Sequence, residues 1–186
     1  IRLNGIDINN VDKEPADEPL NGRSSSAILA EVSGGLAEGV LRQLSFKKNG
    51  REIDRQIVKK LRSSGVFREC SVNIGEKEIR VAVVDGLTGL EKLKSAQAAG
   101  TAFDLVEVMT CPGGCIHGAG MPFISTKDDL KSRAKLVYQA DETEAINIPG
   151  KSPCLINLYE KLLKENAGLT GRSIFYTHFE KKNVLL

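Results

Sequence analysis

One glycine-rich stretch, VEVMTCPGGCIHGAGMP at residues 106–122, is the most informative part of the sequence. This stretch contains two of the four cysteines and both methionines of the chain. The apolar run FDLVEVM at 103–109 leads directly into it and predicts a short strand. Cys111 and Cys115 then follow on a Pro-Gly-Gly turn, whose glycines let the backbone fold tightly enough to direct both thiolates at one bulky group. Because thiolates are soft ligands, the stretch predicts a site for zinc, copper(I) or an iron–sulfur cluster at the end of a strand.

The spacing of the two cysteines leaves other interpretations open. The pair is also compatible with buried free thiols on an incidental glycine loop. His117 would complete a zinc site, but structural zinc sites usually have a second cysteine pair, and the sequence has none. Cys70 lies in a strand pattern and Cys154 in a helix pattern, so both are interpreted as small buried apolar side chains.

The length and composition are those of one domain or one lobe of a larger enzyme. The chain has 186 residues, of which 41% are hydrophobic and 27% charged, a balance that can fill a core. Its 26 basic and 24 acidic residues are scattered, which argues against nucleic-acid binding. No apolar run approaches the roughly 18–20 residues of a membrane span. Ile1 is followed at once by Arg2, so we expect a piece of a longer chain without a signal peptide, and the few cysteines predict a reducing, cytoplasmic compartment.

Strand and helix patterns alternate along the chain before a helical end. Residues 9–25 lack apolar periodicity and predict a loop. The front half of SAILAEVSGG, 26–35, predicts a strand, followed by a glycine turn and a helix that includes Leu36 and Leu44. Two alternating apolar runs predict a β-hairpin over 69–84 with one face buried. Further helices are predicted over 52–64, over 88–99, from a Thr126–Asp129 capping box to about 140, and from Ser152-Pro153 onward.

The segment EVMTCPGGCIHGAGMP closely resembles the third signature of the iron-only, or [FeFe], hydrogenases. That signature has the form Glu-x-Met-x-Cys-x-x-Gly-Cys-x-x-Gly-x-Gly-x-Pro. Its fixed positions are met by Glu107, Met109, Cys111, Gly114, Cys115, Gly118, Gly120 and Pro122. Residues 5–42 also resemble the family's stretch leading into its Gly-Gly helix. Residues 157–179 are similar to a tail that forms either the chain end or a separate small subunit in this family.

The resemblance implies a six-iron active site. In such a site a [4Fe–4S] cubane shares one cysteine sulfur with a di-iron unit that carries CO, cyanide and a bridging dithiolate. By position, Cys111 would ligate the cubane, and Cys115 would ligate the cubane and bridge to the di-iron unit. Met109 would pack beside the di-iron unit, so Cys115 and Met109 are the residues expected at the catalytic centre. Gly114 and Gly118 would bind the cofactor through the backbone of the turn.

The resemblance also implies an architecture, an activity and partners. The expected fold class is α/β: one lobe of the iron-only hydrogenase catalytic domain, with a parallel-type sheet flanked by helices, a β-hairpin and a helical C-terminal tail. Residues 1–150 would form the lobe and residues 151–186 the tail. The expected reaction is the reversible reduction of protons to dihydrogen. Expected partners are the upstream lobe of the same protein and an electron carrier such as ferredoxin, with no nucleic acid and no membrane.

The chain departs from the family pattern in ways that affect the expected activity. The other two signatures, which bring the remaining cubane cysteines and a proton-donating cysteine, have no counterpart in this sequence. We therefore expect the chain by itself to hold an incomplete site and to self-associate through the face that the missing lobe would cover. Ala30-Glu31 stands where the family usually has Phe-Gly, and Met121 where it usually has Gln. These changes favour a sensory or otherwise diverged hydrogenase as one alternative.

Two further alternatives remain open at this stage. The first is an iron–sulfur assembly factor of the same superfamily, which shares much of the third signature. The second is that the thiols of the isolated piece bind zinc or form a disulfide. His117, which replaces Asn or Gly, is expected to be an exposed imidazole, although a role in tuning the cluster or moving protons stays open. His178 is expected to pack or to form a hydrogen bond.

Overall fold

The chain folds as helices around one small sheet. The structure, a computed structural model, describes residues 2–17, 22–123 and 126–164. Within these ranges the α-helices are α1 (Ser25–Leu29), α2 (Gly35–Asn49), α3 (Arg55–Val58), α4 (Gly86–Ala98), α5 (Lys127–Thr143) and α6 (Pro153–Leu158). Short 3-10 turns lie at Arg2–Asn4, Ile8–Asn10, Lys59–Arg62, Cys115–His117 and Pro149–Lys151, and a π-helical turn lies at Tyr159–Lys164.

The sheet has three strands in the order β1-β2-β3. β1 (Phe67–Ile74) pairs antiparallel with β2 (Lys77–Asp85), and β2 pairs in parallel with β3 (Leu105–Met109). The hairpin predicted over 69–84 is confirmed. Its turn is tight and includes Gly75 at φ +63°, so β1 and β2 run antiparallel and the sheet as a whole is mixed.

Helices pack on both faces of the sheet. On one face, Val81 and Val83 belong to a core that includes Leu41 of α2. On the other face, Val84 packs in a core with Leu93 of α4. Neighbouring residues of β2 are therefore buried on opposite sides, as in sheets that helices cover on both faces. This arrangement confirms the expected α/β fold class.

The strand predicted in the front half of 26–35 is wrong, because this segment is occupied by α1. The side chain of Ser25 donates a hydrogen bond to Asp141 of α5 (2.6 Å), and that of Ser26 donates to the carbonyl of Asn147 (2.6 Å). Both acceptors are more than 100 residues away in the sequence. The apolar pattern of the segment contains no information about these partners, and they hold the serines in a helical turn.

The helix predicted over 52–64 is shorter than expected. Asp54 caps the start of α3 by accepting the N–H of Gln56 (2.8 Å), and a 3-10 turn replaces the α-helix after one turn. Val58 and Leu61 are both fully buried. Their spacing of three residues places them on one side of a 3-10 turn, so the tighter turn directs both side chains into the core.

The helix starts predicted in the second half of the chain are confirmed. The side-chain oxygen of Thr126 accepts the N–H of Asp129 (3.2 Å), and the Asp129 carboxylate accepts the N–H of Thr126 (3.0 Å). These reciprocal bonds form the predicted capping box of α5. Pro153 occupies the first turn of α6, where its missing N–H is not needed.

The predicted helical tail falls only partly within the described residues. Helical structure extends to residue 164, whereas residues 165–186, with His178, lie outside the described part of the chain. The division into 1–150 and 151–186 stays a prediction. None of the helices in the described ranges combines the length and the apolar character that crossing a bilayer requires.

Four charged side chains, Glu38, Arg42, Arg62 and Asp141, meet in the interior and are called the buried charge cluster below. Arg42 donates to both oxygens of Asp141 (2.7 and 2.8 Å) and to Glu38 (2.6 Å). Arg62 donates to both oxygens of Glu38 (2.7 Å each) and to Asp141 (2.7 Å). Both carboxylates are fully buried. The cluster joins α2, the 3-10 turn after α3 and α5 through matched charges.

Candidate functional site

Both cysteines of the motif lie on one short loop at the C-terminal end of β3. Residues 111–118 form this loop and are called the cysteine turn. The N–H of Gly114 donates to the carbonyl of Cys111 (3.0 Å), and the N–H of Gly118 donates to the carbonyl of Cys115 (3.0 Å). Two consecutive backbone turns therefore close the loop, and the placement of the cysteines is the one expected from the sequence.

Gly114 allows the cysteine turn to lie directly against the segment before α2. Its φ is +88°, and a Cβ at this position would lie 2.7 Å from the carbonyl oxygen of Glu31 and 2.8 Å from the nitrogen of Ser33. Gly114 forms an antiparallel bridge with Val32, and the N–H of Ser33 donates to the carbonyl of Gly113 (3.1 Å). Only glycine fits this contact, because any side chain would overlap backbone atoms that cannot move independently.

Glu107 fastens β3 to the start of α2. Its carboxylate is 5% exposed and accepts the N–H of Gly34 (2.6 Å) and the N–H of Ala37 (2.7 Å). A negative charge is favourable at a helix N-terminus, where the first N–H groups have no partner within the helix. The motif included Glu107 but assigned it no role. A lone carboxylate within an apolar strand, in a chain with a Gly-Gly helix start, is the sequence signal for this contact.

The four cysteines are free thiols in two different settings. Cys115 is exposed and Cys111 is partly exposed. Cys70 is buried on β1, and burial raises the pKa of its thiol although the charge of Lys60 acts in the opposite direction. Cys154 is partly buried and lines a groove of about 650 Å³ between α1, α2 and α6 that neither turn cysteine lines. The structure thus agrees with the interpretation of Cys70 as a small buried side chain, whereas the same interpretation of Cys154 is wrong because this residue is only partly buried. Of the four cysteines, only Cys111 and Cys115 share a loop.

His117 does not complete a zinc site. Its Nδ1 lies 3.1 Å from the carbonyl oxygen of Pro112, so the ring contacts the backbone of the cysteine turn itself. Within the described ranges, no group of three or more His, Cys, Asp and Glu side chains could hold a metal ion. His117 is exposed, as expected from the sequence.

The cysteine turn fits one half of an iron–sulfur cluster site. It presents two soft ligands on one accessible loop, whereas a [4Fe–4S] cluster is usually held by four cysteines. Met109 is the last residue of β3 and is partly buried. Gly118 has a φ of −75°, so its place in the motif does not depend on backbone conformation. The predicted roles of Cys111, Cys115, Met109, Gly114 and Gly118 as cofactor ligands and neighbours stay predictions.

Helix α5 supports the outer side of the cysteine turn. Arg133 donates to the carbonyl of Ile116 (2.9 Å) and to that of Pro122 (2.7 Å). The side chain of Leu130 lies 3.0 Å from the position that a Cβ of Gly113 would occupy. Ile116 itself packs in a core with Val32. The cysteine turn is therefore held by α5 on one side and by the segment before α2 on the other.

The comparisons with known proteins agree with this geometry. Residues 1–119 match the model of the family described as "Iron only hydrogenase large subunit, C-terminal domain". The chain is 30% identical over 185 residues to the NADP-reducing hydrogenase subunit HndD of Solidesulfovibrio fructosivorans, covering 99% of this chain and 32% of that protein. It is 25% identical over 186 residues to the cytosolic Fe-S cluster assembly factor narfl of Xenopus tropicalis, covering 94% of this chain and 37% of that protein.

Solved structures support the same fold. A variant of the apo [FeFe]-hydrogenase HydA1 from Chlamydomonas reinhardtii superposes with a TM-score of 0.69 at 23% identity, covering 96% of this chain and 52% of that chain. The chain spans about a third of the length of the curated hydrogenases that it matches. The family match extends over more than half of the chain and includes both cysteines of the turn. This chain therefore belongs to the family formed by the C-terminal domains of iron-only hydrogenase large subunits.

Proposed function

We propose that this chain is the C-terminal part of the catalytic domain of an iron-only hydrogenase that reversibly reduces protons to dihydrogen. The observation that carries the proposal is the pair of accessible thiols on the cysteine turn, at the C-terminal end of a strand whose Glu107 caps α2. Sheet ends of this kind commonly hold the ligand site of an α/β protein. The similarity to HndD over nearly the whole chain supports the same reaction class.

The residues of the cysteine turn would hold two corners of a [4Fe–4S] cluster. Cys111 would bind one iron, and Cys115 would bind another and also bridge to a di-iron unit. Met109 would exclude water beside that unit with a soft thioether, and the backbone at Gly114 and Gly118 would donate to the cluster. When bound, the cluster supplies electron transfer and the di-iron unit supplies the site of proton reduction. Ferredoxin or a similar carrier in the cytoplasm would supply the electrons.

The other ligands would come from an upstream lobe of the same protein. Large apolar side chains close in sequence to the cysteine turn are exposed: Val108 by 50%, Met121 by 44% and Phe123 by 92%. Leu36, which directly follows the Gly-Gly start of α2, is exposed by 53%. Exposed apolar side chains near a ligand loop are typical of an interface, so the upstream lobe would cover them in the parent protein and the isolated chain would self-associate through them.

The test compares the parent protein with the isolated chain. The parent, matured anaerobically, should contain six irons at this site, show infrared bands of bound CO and cyanide, and evolve hydrogen from reduced viologen. The 186-residue chain should fold but hold less iron and evolve no hydrogen, because two thiolates leave half of the cubane corners without protein ligands. A near-complete six-iron load with turnover in the isolated chain would refute the half-site assignment.

An iron–sulfur assembly factor is the second candidate. The match to narfl covers 94% of this chain, nearly as much as the match to HndD. Ala30-Glu31 and Met121 also depart from the usual hydrogenase pattern near the site. For this candidate, the parent protein would bind a [4Fe–4S] cluster but would lack the CO and cyanide bands and would evolve no hydrogen. The infrared spectrum therefore separates the two candidates.

A further inference from the structure

A buried ion pair lies next to the cysteine turn and has no part in the function proposed above. Arg68 of β1 is 9% exposed, and Asp85, the last residue of β2, is 8% exposed. Their closest atoms, Nη2 of Arg68 and Oδ2 of Asp85, are 3.5 Å apart. The pair therefore lies at the same end of the sheet as the cysteine turn, because β2 and β3 run in parallel.

The pair connects the cysteine turn to the segment before α2, which lies against it. Asp85 Oδ2 accepts the N–H of Gly113, which lies between the two cysteines, at 3.3 Å. Arg68 donates to the hydroxyl of Ser33 and to the carbonyl of Ser63. Since the N–H of Ser33 donates in turn to the carbonyl of Gly113, the ion pair and the backbone contact close one network around Gly113.

The charges of this pair are only partly satisfied. Arg68 Nε and Asp85 Oδ1 are buried and have no hydrogen-bond partner among the described residues. In the buried charge cluster, by contrast, Arg42 contacts both oxygens of Asp141 at 2.7 and 2.8 Å. Leaving a buried polar atom unpaired is destabilising, so such atoms in a native protein call for an explanation beyond stability. A charge that is not fully compensated acts on its neighbours, and the cysteine turn is an immediate neighbour.

We propose that Arg68 and Asp85 are positioning residues that hold the cysteine turn and set the reduction potential of the cluster bound there. This inference rests on the proposed function. The potential of an iron–sulfur cluster depends on net charge and hydrogen bonding around it. Reduction adds an electron to the cluster, so the carboxylate of Asp85 disfavours the reduced state and the guanidinium of Arg68 favours it. The balance of the pair therefore tunes the potential without either residue touching iron.

The experiment measures the midpoint potential of the [4Fe–4S] cluster in the full-length parent protein by EPR-monitored redox titration. Asp85→Asn keeps the shape and an acceptor for the Gly113 N–H but removes the negative charge, so the potential should shift to more positive values. Arg68→Met removes the positive charge and should shift the potential in the opposite direction. The double variant should return towards the unmodified protein, because the net charge is restored.

A matched control is available at the other end of the sheet. Asp104 lies immediately before β3 and pairs with Lys77 at 2.7 Å, so it is separated from the cysteine turn by the length of the strand. Asp104→Asn makes the same change of charge at a distance of about 16 Å or more for a five-residue strand. The midpoint potential of the cluster in this variant should stay close to that in the unmodified protein, because exposed charges beyond a Debye length are largely screened.

The outcomes are distinguishable. Midpoint potentials that shift in opposite directions in the two single variants, with an unchanged potential in the control, support the inference. A merely structural role would not give shifts of opposite sign. No shift in Asp85→Asn, or a shift to more negative values, overturns it. If Arg68→Met does not yield folded protein, Asp85→Asn and the double variant decide the question by the same criteria. A parent protein that binds no iron–sulfur cluster at all would instead overturn the proposed function.

Discussion

The buried charge cluster and the cysteine turn use polar groups in opposite ways. In the cluster, Glu38 and Asp141 have no exposed surface, and each carboxylate accepts hydrogen bonds from two arginines. In the cysteine turn, Cys115 is exposed and Cys111 partly exposed, and the described residues bring no third metal ligand to them. The first region is complete within this chain, whereas the function proposed above requires further ligands for the second from outside this chain.

The buried charge cluster stabilises the fold, whereas the cysteine turn is the candidate functional site. The cluster ties α2 to α5, and α5 in turn supports the turn through Arg133. Removing one partner of a buried ion pair leaves an uncompensated charge, so the cluster tolerates little change. The thiols of the cysteine turn are instead accessible, as a ligand for an inorganic group must be. A loop held by a rigid support is a common arrangement for a functional site.

The largest expected effect is on the turn. Cys115→Ser in the parent protein should abolish the bridged di-iron site, because a hydroxyl is a poor substitute for a thiolate shared by two irons. Iron content and the infrared bands of CO and cyanide measure the loss. Cys154→Ser, which changes a thiol in a groove that neither Cys111 nor Cys115 lines, should keep both. Unchanged bands in Cys115→Ser would mean that the bridging sulfur belongs to another residue.

The buried charge cluster should respond in stability rather than in iron binding by the turn. Asp141→Asn deprives Arg42 and Arg62 of their shared carboxylate, and we expect the free energy of unfolding to fall by about 3–5 kcal/mol. Urea denaturation measures this loss. Asp128→Asn is the control, since the ion pair of Asp128 with Lys131 is exposed and should contribute less than about 1 kcal/mol. Equal effects of the two substitutions would contradict the structural role of the cluster.

Two glycines with nearly the same positive φ but different surroundings distinguish local strain from steric overlap. Gly114 and Gly120 have φ values of +88° and +90°, but a Cβ at Gly114 would overlap the backbone of Glu31 and Ser33, whereas a Cβ at Gly120 would meet nothing within 4 Å. Gly114→Ala should cost about 2–4 kcal/mol, and Gly120→Ala only about 1–2 kcal/mol. Urea denaturation and iron content of both variants are the measurements. Similar losses would show that the contact with the segment before α2 is unimportant.

The buried charge cluster should also lose stability in acid. Burial alone would raise the pKa of Asp141, but hydrogen bonds from Arg42, Ser25 and Arg62 lower it below its usual value. The unfolded chain therefore takes up this proton first as the pH falls. The stabilisation is fully present above about pH 4 and is lost at lower pH, by about 1.4 kcal/mol for each unit of pKa shift.

Urea midpoints between pH 5 and pH 2, at intervals of about half a unit, test this linkage. The slope of stability against pH below about pH 4 should be shallower in Asp141→Asn than in the unmodified chain. An unchanged slope in Asp141→Asn would mean that other carboxylates dominate acid unfolding.

The local patterns of the sequence predicted much of the fold and the loop that carries the candidate site. The alternation around Cys70 predicted the hairpin, the Thr126–Asp129 pair predicted the start of α5, and the apolar run before Cys111 predicted β3 and the loop after it. Each of these features depends on residues that are neighbours in the chain, and the glycines of the turn fix its shape locally. The residues of the cysteine turn also carried the resemblance to the hydrogenase family.

Only the tertiary structure shows that α1 is a helix and that Arg68 and Asp85 meet beside the cysteine turn. Ser25 and Ser26 form a helix rather than a strand because their acceptors are brought from more than 100 residues away. Arg68 and Asp85 appear in the sequence as ordinary charges on strands, and only the register of β1 on β2, with the parallel pairing of β3, brings them to Gly113. Local periodicity specifies which face of an element is buried, but a buried charge is stabilised by a particular partner, and that partner is selected only when distant segments pack together.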